Sequence, residues 1–137
     1  MPKPIRVLFV CTHNSARSQI AEALLGSYGG GDFDAHSAGV DPSPVSPYAV
    51  RALAEAGIDW SGARSRGLDG LVDQPWDYVV TVCDYARQVC PKFPGAESSL
   101  HWGLDDPEQV AGTDDERLAA FRRSTTEVST WRAEIDQ

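Results

Sequence analysis

An α/β fold, a small four-stranded parallel sheet flanked by helices on both faces, is what this sequence predicts, and three observations carry the prediction. Two apolar runs of strand length, Arg6 to Cys11 and Asp77 to Val82, each lead directly into or up to a cysteine. Between and after such runs come segments with apolar residues at helical spacing. Helix-start signals, Ser46-Pro47 and Thr113-x-x-Glu116, stand where two of those segments begin.

Taken in order, Arg6 to Cys11 is apolar and β-branched enough for a buried parallel strand. Ser18 to Tyr28 carries Ile20, Ala21, Ala23, Leu24 and Leu25 with small and polar residues between them, and Gly29-Gly30-Gly31 stops that helix. Phe33 to Val40 reads as a second strand, ending near Ser37-Ala38-Gly39. Ser46 followed by Pro47 opens a second helix, with Val50, Leu53 and Ala54 on one face and Gly57 at the end. Asp77 to Val82 is the third strand, and Leu100 to Trp102 supplies a short fourth before an acidic loop. The last helix begins at the capping box and carries Leu118, Phe121, Thr125, Val128, Trp131 and Ile135 as core packing. Neither the glycine run nor Pro42-Ser43-Pro44 separates parts large enough to fold alone, so residues 1–137 are expected to form a single domain.

Composition sets limits on function. Of the 137 residues 42% are hydrophobic and 23% charged, which is ordinary for a globular protein. The formal net charge of −8 argues against nucleic acid or an anionic membrane as partner, so any anion site must be local. No apolar run approaches the ~20 residues that cross a bilayer, and Met1 to Arg6 leads into a strand too short for a signal peptide. A cytoplasmic protein is expected. In that compartment three cysteines are reactive or metal-binding groups rather than structural staples.

The run Cys11-Thr12-His13-Asn14-Ser15-Ala16-Arg17-Ser18 leaves the first strand and enters a helix. Such a loop turns successive backbone N–H groups inward, and the helix N-terminus adds its positive dipole end, so residues 12 to 18 form a cradle for a tetrahedral oxyanion. Cys11 sits at its base, where the positive surroundings that bind the anion also favour the nucleophilic thiolate. Arg17 offers a planar fork to two anion oxygens, and Ser18 can give its hydroxyl hydrogen to the Cys11 sulfur. A structural loop has no need of the cysteine and arginine together at this spacing, although several phosphatase classes share the pattern. Its position immediately after the first strand resembles the low-molecular-weight protein tyrosine phosphatase superfamily, which implies that family's three-layer sandwich.

Cys83 and Cys90 stand seven residues apart, and Cys83 ends the third strand as Cys11 ends the first. The carboxyl ends of parallel strands lie on one edge of the sheet, where ligands bind. If residues 83 to 90 are helical the two cysteines lie about 10 Å apart along the axis, beyond the roughly 7 Å a disulfide spans. Joining them requires local unwinding, which suits a transient redox step. A pair of buried apolar cysteines is the alternative. Zinc, recruiting His101 or His13, is disfavoured because the spacing lacks a short C-x2-C knuckle.

With this pair the resemblance narrows to the thioredoxin-coupled arsenate reductases of the same superfamily. It covers the Cys11–Ser18 loop with Gln19, Ser37-Ala38-Gly39, Val80-Thr81-Val82-Cys83, Cys90-Pro91 and His101-Trp102-Gly103-Leu104-Asp105-Asp106-Pro107. The resemblance implies arsenate reduction to arsenite for arsenic detoxification, by Cys11, Cys83, Cys90, Arg17 and Asp106. Cys11 attacks arsenate held by Arg17 and the loop amides while Asp106 protonates the departing oxygen. Cys83 then attacks Cys11 and releases arsenite, Cys90 resolves the disulfide to Cys83–Cys90, and thioredoxin reduces it. No bound cofactor is implied, and a monomer is expected. Asp106 is preferred to Asp105 as the acid because it matches the family's Asp-Pro.

The match has departures. His13 stands where many relatives have glycine, and Ala16 where many have a further cysteine outside the cascade. Some relatives bind potassium through an Asn, a Glu, a Ser and an Asp; Asn14, Glu22 and Ser37 match, but Arg66 replaces the acid, so no metal is expected. Two other readings stay open. One is a tyrosine phosphatase using Cys11, Arg17 and Asp106, although Glu108-Gln109 follow the Asp-Pro where such phosphatases carry aromatic residues. The other is a non-catalytic oxyanion or redox sensor.

Overall fold

A computed structural model describes residues 3–27 and 31–131. Tyr28, Gly29 and Gly30, expected to end the first helix, and Ile135, expected on the last, lie outside the described residues. The elements follow in the order β1 (Ile5–Cys11), α1 (Arg17–Ser27), β2 (Phe33–Gly39), α2 (Pro47–Glu55), β3 (Trp76–Thr81), α3 (Asp84–Val89), β4 (Ala96–His101) and α4 (Asp114–Ser129), with one tight helical turn at Pro107–Gln109 before α4.

The four strands form one parallel sheet in the order β2-β1-β3-β4. Every residue from Val7 to Cys11 is buried although successive side chains point to opposite faces, so helices cover both sides of β1. Registers Cys11↔Gly39, Val10↔Thr81 and Thr81↔His101 bring the carboxyl ends of all four strands to one edge. The chain leaves β1 first toward β2 and later returns to β3 on its other side. The crevice above β1 and β3 is therefore the switch point at which such sheets bind ligands.

The elements follow the predicted pattern with three corrections. In α2 the buried face is Ala49, Ala52 and Leu53, whereas Val50 is half-buried and Ala54 exposed. The small alanines let α2 lie against α4. In α4 the buried residues are Leu118, Ala120, Phe121, Ser124 and Val128, with Trp131 buried just past its end. Ser124 takes the inward place expected of Thr125, its hydroxyl donating to the Ala120 carbonyl at 3.3 Å, so the polar atom is satisfied within the helix. Finally, β4 starts at Ala96, well before the predicted Leu100. It is an edge strand whose Glu97-Ser98-Ser99 segment is exposed, so backbone pairing rather than apolar alternation defines it.

The caps behave as the sequence signals require. Ser46 accepts from the Tyr48 N–H with Pro47 at the first helical position, and Thr113 and Glu116 form a reciprocal capping box. Gly57, at φ 85°, ends α2 in the left-handed region. No helix among the described residues is long and apolar enough to cross a membrane.

The end of β2 matters most for the site. A Cβ on Gly39 would lie 2.7 Å from the Asn14 nitrogen, 2.8 Å from the His13 carbonyl carbon and 2.9 Å from the Thr12 oxygen. All three are backbone atoms of the Cys11–Ser18 loop, so only a hydrogen fits between strand and loop. Gly39→Ala is expected to displace that loop while leaving the sheet intact. The measurement is the rise in melting temperature on adding inorganic phosphate, which should shrink or vanish in the variant while its circular dichroism spectrum is retained.

Candidate active site

The loop that follows β1 is held from outside. The Cys11, Thr12 and His13 carbonyls accept from Val40, Asp41 and Ser43 N–H groups at 3.2, 2.8 and 2.9 Å, and the Ser15 carbonyl accepts from Ser46 at 2.8 Å. The Ala16 carbonyl accepts from the Ile20 N–H at 2.9 Å, the first turn of α1. A trans peptide sets each N–H opposite the carbonyl before it, so carbonyls drawn outward turn the intervening N–H groups into the hollow. Together with the N-terminus of α1 they line the hollow in which the sequence predicts an oxyanion.

Asn14 fixes the geometry. It is the one described non-glycine residue at positive φ, 52°, a conformation asparagine tolerates better than most residues. Its side chain is fully buried and used at both ends. The amide nitrogen donates to Ser18 at 2.7 Å and to Ser37 at 2.9 Å, while the amide oxygen accepts from the Arg66 N–H at 2.9 Å and from Gln19 at 3.1 Å. Gln19 in turn accepts from the Trp60 indole at 2.9 Å and donates to the Arg64 carbonyl at 3.1 Å.

This network orients the hydroxyl beside the nucleophile. Ser18 accepts from Asn14, which leaves its own proton for the Cys11 sulfur 2.8 Å away. The Asn14 N–H also reaches that sulfur, at 3.2 Å. The sulfur thus has a hydroxyl and a backbone N–H directed at it from the loop. On the far side Ser37 donates to Glu22 at 2.6 Å. Burial pushes the Glu22 carboxyl above its ordinary value, opposed by the Ser37 hydrogen bond and by the charges of Arg66 and His36. Of the oxygens considered above for a cation, the Asn14 amide oxygen already accepts from two donors, and the cationic Arg66 stands in place of the acid.

Across the hollow, Arg17 lies under the acidic loop. One guanidinium nitrogen is 3.5 Å from Asp106 and the other donates to the Leu104 carbonyl at 3.3 Å. Asp106 is half-buried and caps the turn at Pro107–Gln109 by accepting from the Glu108 N–H at 2.9 Å, whereas Asp105 is exposed. His13 is exposed, with its ring nitrogen 2.8 Å from the Asp41 carbonyl. Only its backbone belongs to the cradle.

The second thiol stands at the wall of the cradle. Cys83 caps α3, accepting from the Ala86 N–H at 3.4 Å, and its sulfur lies 3.2 Å from the Thr12 hydroxyl. Cys90 is the residue after α3, with its N–H on the Ala86 carbonyl at 2.8 Å. The segment between them is therefore helical, the case in which the two cysteines cannot bond without unwinding. Cys11 and Cys83 are buried and Cys90 half-buried, all three as free thiols, and burial pushes the Cys90 thiol up.

Sequence reasoning did not anticipate three contacts: Thr12 to Cys83, Gln19 to Trp60, and a 2.5 Å hydrogen bond from the Ser15 hydroxyl to the Glu108 carboxylate. Each joins residues 41 or more positions apart, and no local pattern signals it.

Comparison with known proteins agrees with this geometry. A model described as low molecular weight phosphotyrosine protein phosphatase matches residues 6–131. An arsenate reductase of Halalkalibacterium halodurans is 44% identical over 122 residues, covering 89% of this chain and 88% of its own. A solved arsenate reductase in the phosphate binding state superposes with a TM-score of 0.80 at 31% identity, covering 96% of this chain and 95% of its own. A thioredoxin-dependent arsenate reductase of Corynebacterium glutamicum superposes with a TM-score of 0.66 at 31% identity, over 98% of this chain and 64% of that one. A parallel sheet whose first strand feeds a cysteine into an anion cradle, matched along residues 6–131, makes this chain a member of the low molecular weight phosphotyrosine protein phosphatase family.

Proposed function

We propose that this enzyme reduces arsenate to arsenite through Cys11, Cys83 and Cys90, that thioredoxin regenerates it, and that its role is arsenic detoxification. The observation that carries the reading is the pair of buried thiols on either side of Thr12: Cys11 at the base of the cradle and Cys83 with its sulfur 3.2 Å from the Thr12 hydroxyl. A phosphatase needs only the first. The arsenate reductases among its relatives support the same reading.

The chemistry balances without a bound cofactor. The Cys11 thiolate attacks As(V) held by Arg17 and the N–H groups of Thr12 to Ser18, and Asp106 gives a proton so that one oxygen leaves as water. The Cys83 thiolate then attacks the Cys11 sulfur. Its pair forms the S–S bond, the S–As pair stays on arsenic, and arsenite leaves as As(III). Cys90 attacks Cys83, freeing Cys11 and leaving Cys83–Cys90, which two electrons from thioredoxin reopen. Phosphorus has no comparable trivalent product, so phosphate binds the same cradle without turning over by this route. One chain supplies every group, and the cytoplasm, where thioredoxin keeps thiols reduced, is the compartment this cycle needs.

The resolving step asks α3 to unwind. Burial holds the Cys90 thiol up while the helix is formed, and solvent exposure on unwinding brings it back toward its ordinary value. Closure and activation of Cys90 are thus one event.

Two tests follow. Arsenate-dependent NADPH oxidation, coupled through thioredoxin and thioredoxin reductase, should be abolished in Cys11→Ser, Cys83→Ser and Cys90→Ser alike. In Cys90→Ser a single turnover should still release about one arsenite per chain and leave a Cys11–Cys83 disulfide. No reduction by the intact protein, alongside aryl phosphate hydrolysis needing only Cys11, would make it a phosphatase. Separately, Gln88→Gly at an exposed position of α3 should weaken that helix and speed Cys83–Cys90 formation about twofold, read by quenched alkylation after one turnover.

A further inference from the structure

We propose that His101 is a positioning residue for the second thiol: through Asp84 it pins the first turn of α3 to the sheet and thereby holds the Cys83 sulfur at the wall of the cradle. The inference rests on the cascade proposed above and concerns its second step, in which Cys83 forms the S–S bond to Cys11 and the S–As pair stays on arsenic.

The ring of His101, the last residue of β4, is held at both nitrogens. Nδ1 is 2.8 Å from the Thr81 hydroxyl at the end of β3, and Nε2 is 3.1 Å from a carboxylate oxygen of Asp84, the first residue of α3. An ionised carboxylate only accepts, so Nε2 carries the hydrogen. Nδ1 accepts from Thr81 when the ring is neutral and donates to it when the ring is charged, and the bridge stands in either state. Gly103 keeps the room that this pairing needs: a Cβ there would lie 3.3 Å from Nε2 and 4.0 Å from the carboxylate oxygen. Asp84 is not among the residues that carry the resemblance to the reductases, whereas His101 is.

The helix has few other ties. Of its six residues only Ala86 is buried. Its second turn borders a cavity of about 630 Å³ that Arg87 and Cys90 line from the helix end and Leu100 and His101 from the sheet. Support is therefore concentrated in the first turn, where the Ala86 N–H reaches the Cys83 sulfur at 3.4 Å and that sulfur lies 3.2 Å from the Thr12 hydroxyl. Where this turn goes, the sulfur goes with it. A nucleophile displaced by about an ångström loses much of its rate, so fixing the turn matters for the attack on Cys11. The Asp84 carboxylate is mostly exposed, and such a pair adds little to the stability of the whole chain, so its loss leaves the fold standing. Once the Cys11–Cys83 bond has formed, the bond itself fixes Cys83 and the bridge is no longer needed.

The test follows arsenite release in a single turnover of the Cys90→Ser chain, which ends at the Cys11–Cys83 disulfide. His101→Ala and Asp84→Ala, added to that chain, should each slow release about fivefold, and the double variant should be no slower than either alone. His101→Gln, which keeps a donor for Asp84, and Asp84→Asn, which keeps the acceptor, should each recover part of the rate. The rise in melting temperature on adding inorganic phosphate, which reads the cradle, should be the same in all of them. Gln88→Gly weakens the same helix without touching the bridge and should leave release within about twofold of the Cys90→Ser chain. Release unchanged in His101→Ala overturns the proposal, as do additive losses in the double variant. Equal slowing by Gln88→Gly also overturns it, because helix strength rather than the bridge would then set the rate, and so does a smaller phosphate shift in His101→Ala, because the cradle itself would have moved. No arsenite release from the Cys90→Ser chain would instead remove the cascade beneath it.

Discussion

The side-chain amide of Asn14 is the constraint on which the site depends. One residue in the left-handed region turns the loop, and its amide has four hydrogen-bonding capacities that are all spent on keeping it there. Because the amide nitrogen faces two hydroxyls, both must accept, and each then has one proton to give elsewhere. Ser18 turns its proton to Cys11 and Ser37 to Glu22. A single planar group thus sets the direction of donation on both sides. A buried network of this kind stabilises the loop only when every member is paired, and no buried side-chain nitrogen or oxygen among the described residues lacks a partner.

The sheet explains why the second thiol is where it is. Parallel pairing of β1 and β3 brings two strand ends level, so Cys11 as the last residue of β1 and Cys83 just past β3 reach the same crevice without any dedicated loop. What distinguishes the two is the element that follows. Cys11 enters an open loop ahead of α1, which gathers N–H groups, while Cys83 caps a six-residue helix and carries a contact to Thr12. The third thiol, Cys90, caps the other end of that short helix. Proximity is thereby graded along the order in which the proposed cascade uses the sulfurs.

Most of this frame was legible in the sequence because it is local. The run from Cys11 to Ser18 states its own chemistry, the caps at Ser46 and Thr113 declare their helices, and the runs ending at Cys11 and Val82 announce a parallel sheet. The illegible parts are those in which tertiary contact overrides pattern. Glu97, Ser98 and Ser99 lie ahead of the strand expected at Leu100, yet backbone pairing to β3 makes them part of an edge strand. Thr125 fits the helical stripe, but Ser124 is the residue turned inward, its hydroxyl donating to the Ala120 carbonyl. The Ser15–Glu108 and Gln19–Trp60 contacts arise only once the chain has folded back on itself. In the site, residue types could be read but not their connections.

The six residues of α3 have a consequence for timing. A helix so short has little stability of its own, and helix–coil exchange takes about a microsecond or less. In the proposed cascade each joining of Cys83 to Cys90 would melt this turn and each reduction would let it wind again, so that the covalent state of two atoms would be written into the shape of a surface element. The bond would act as a ratchet on a fluctuation that otherwise vanishes, and the oxidised form would present its reductant with a contour the reduced form does not have.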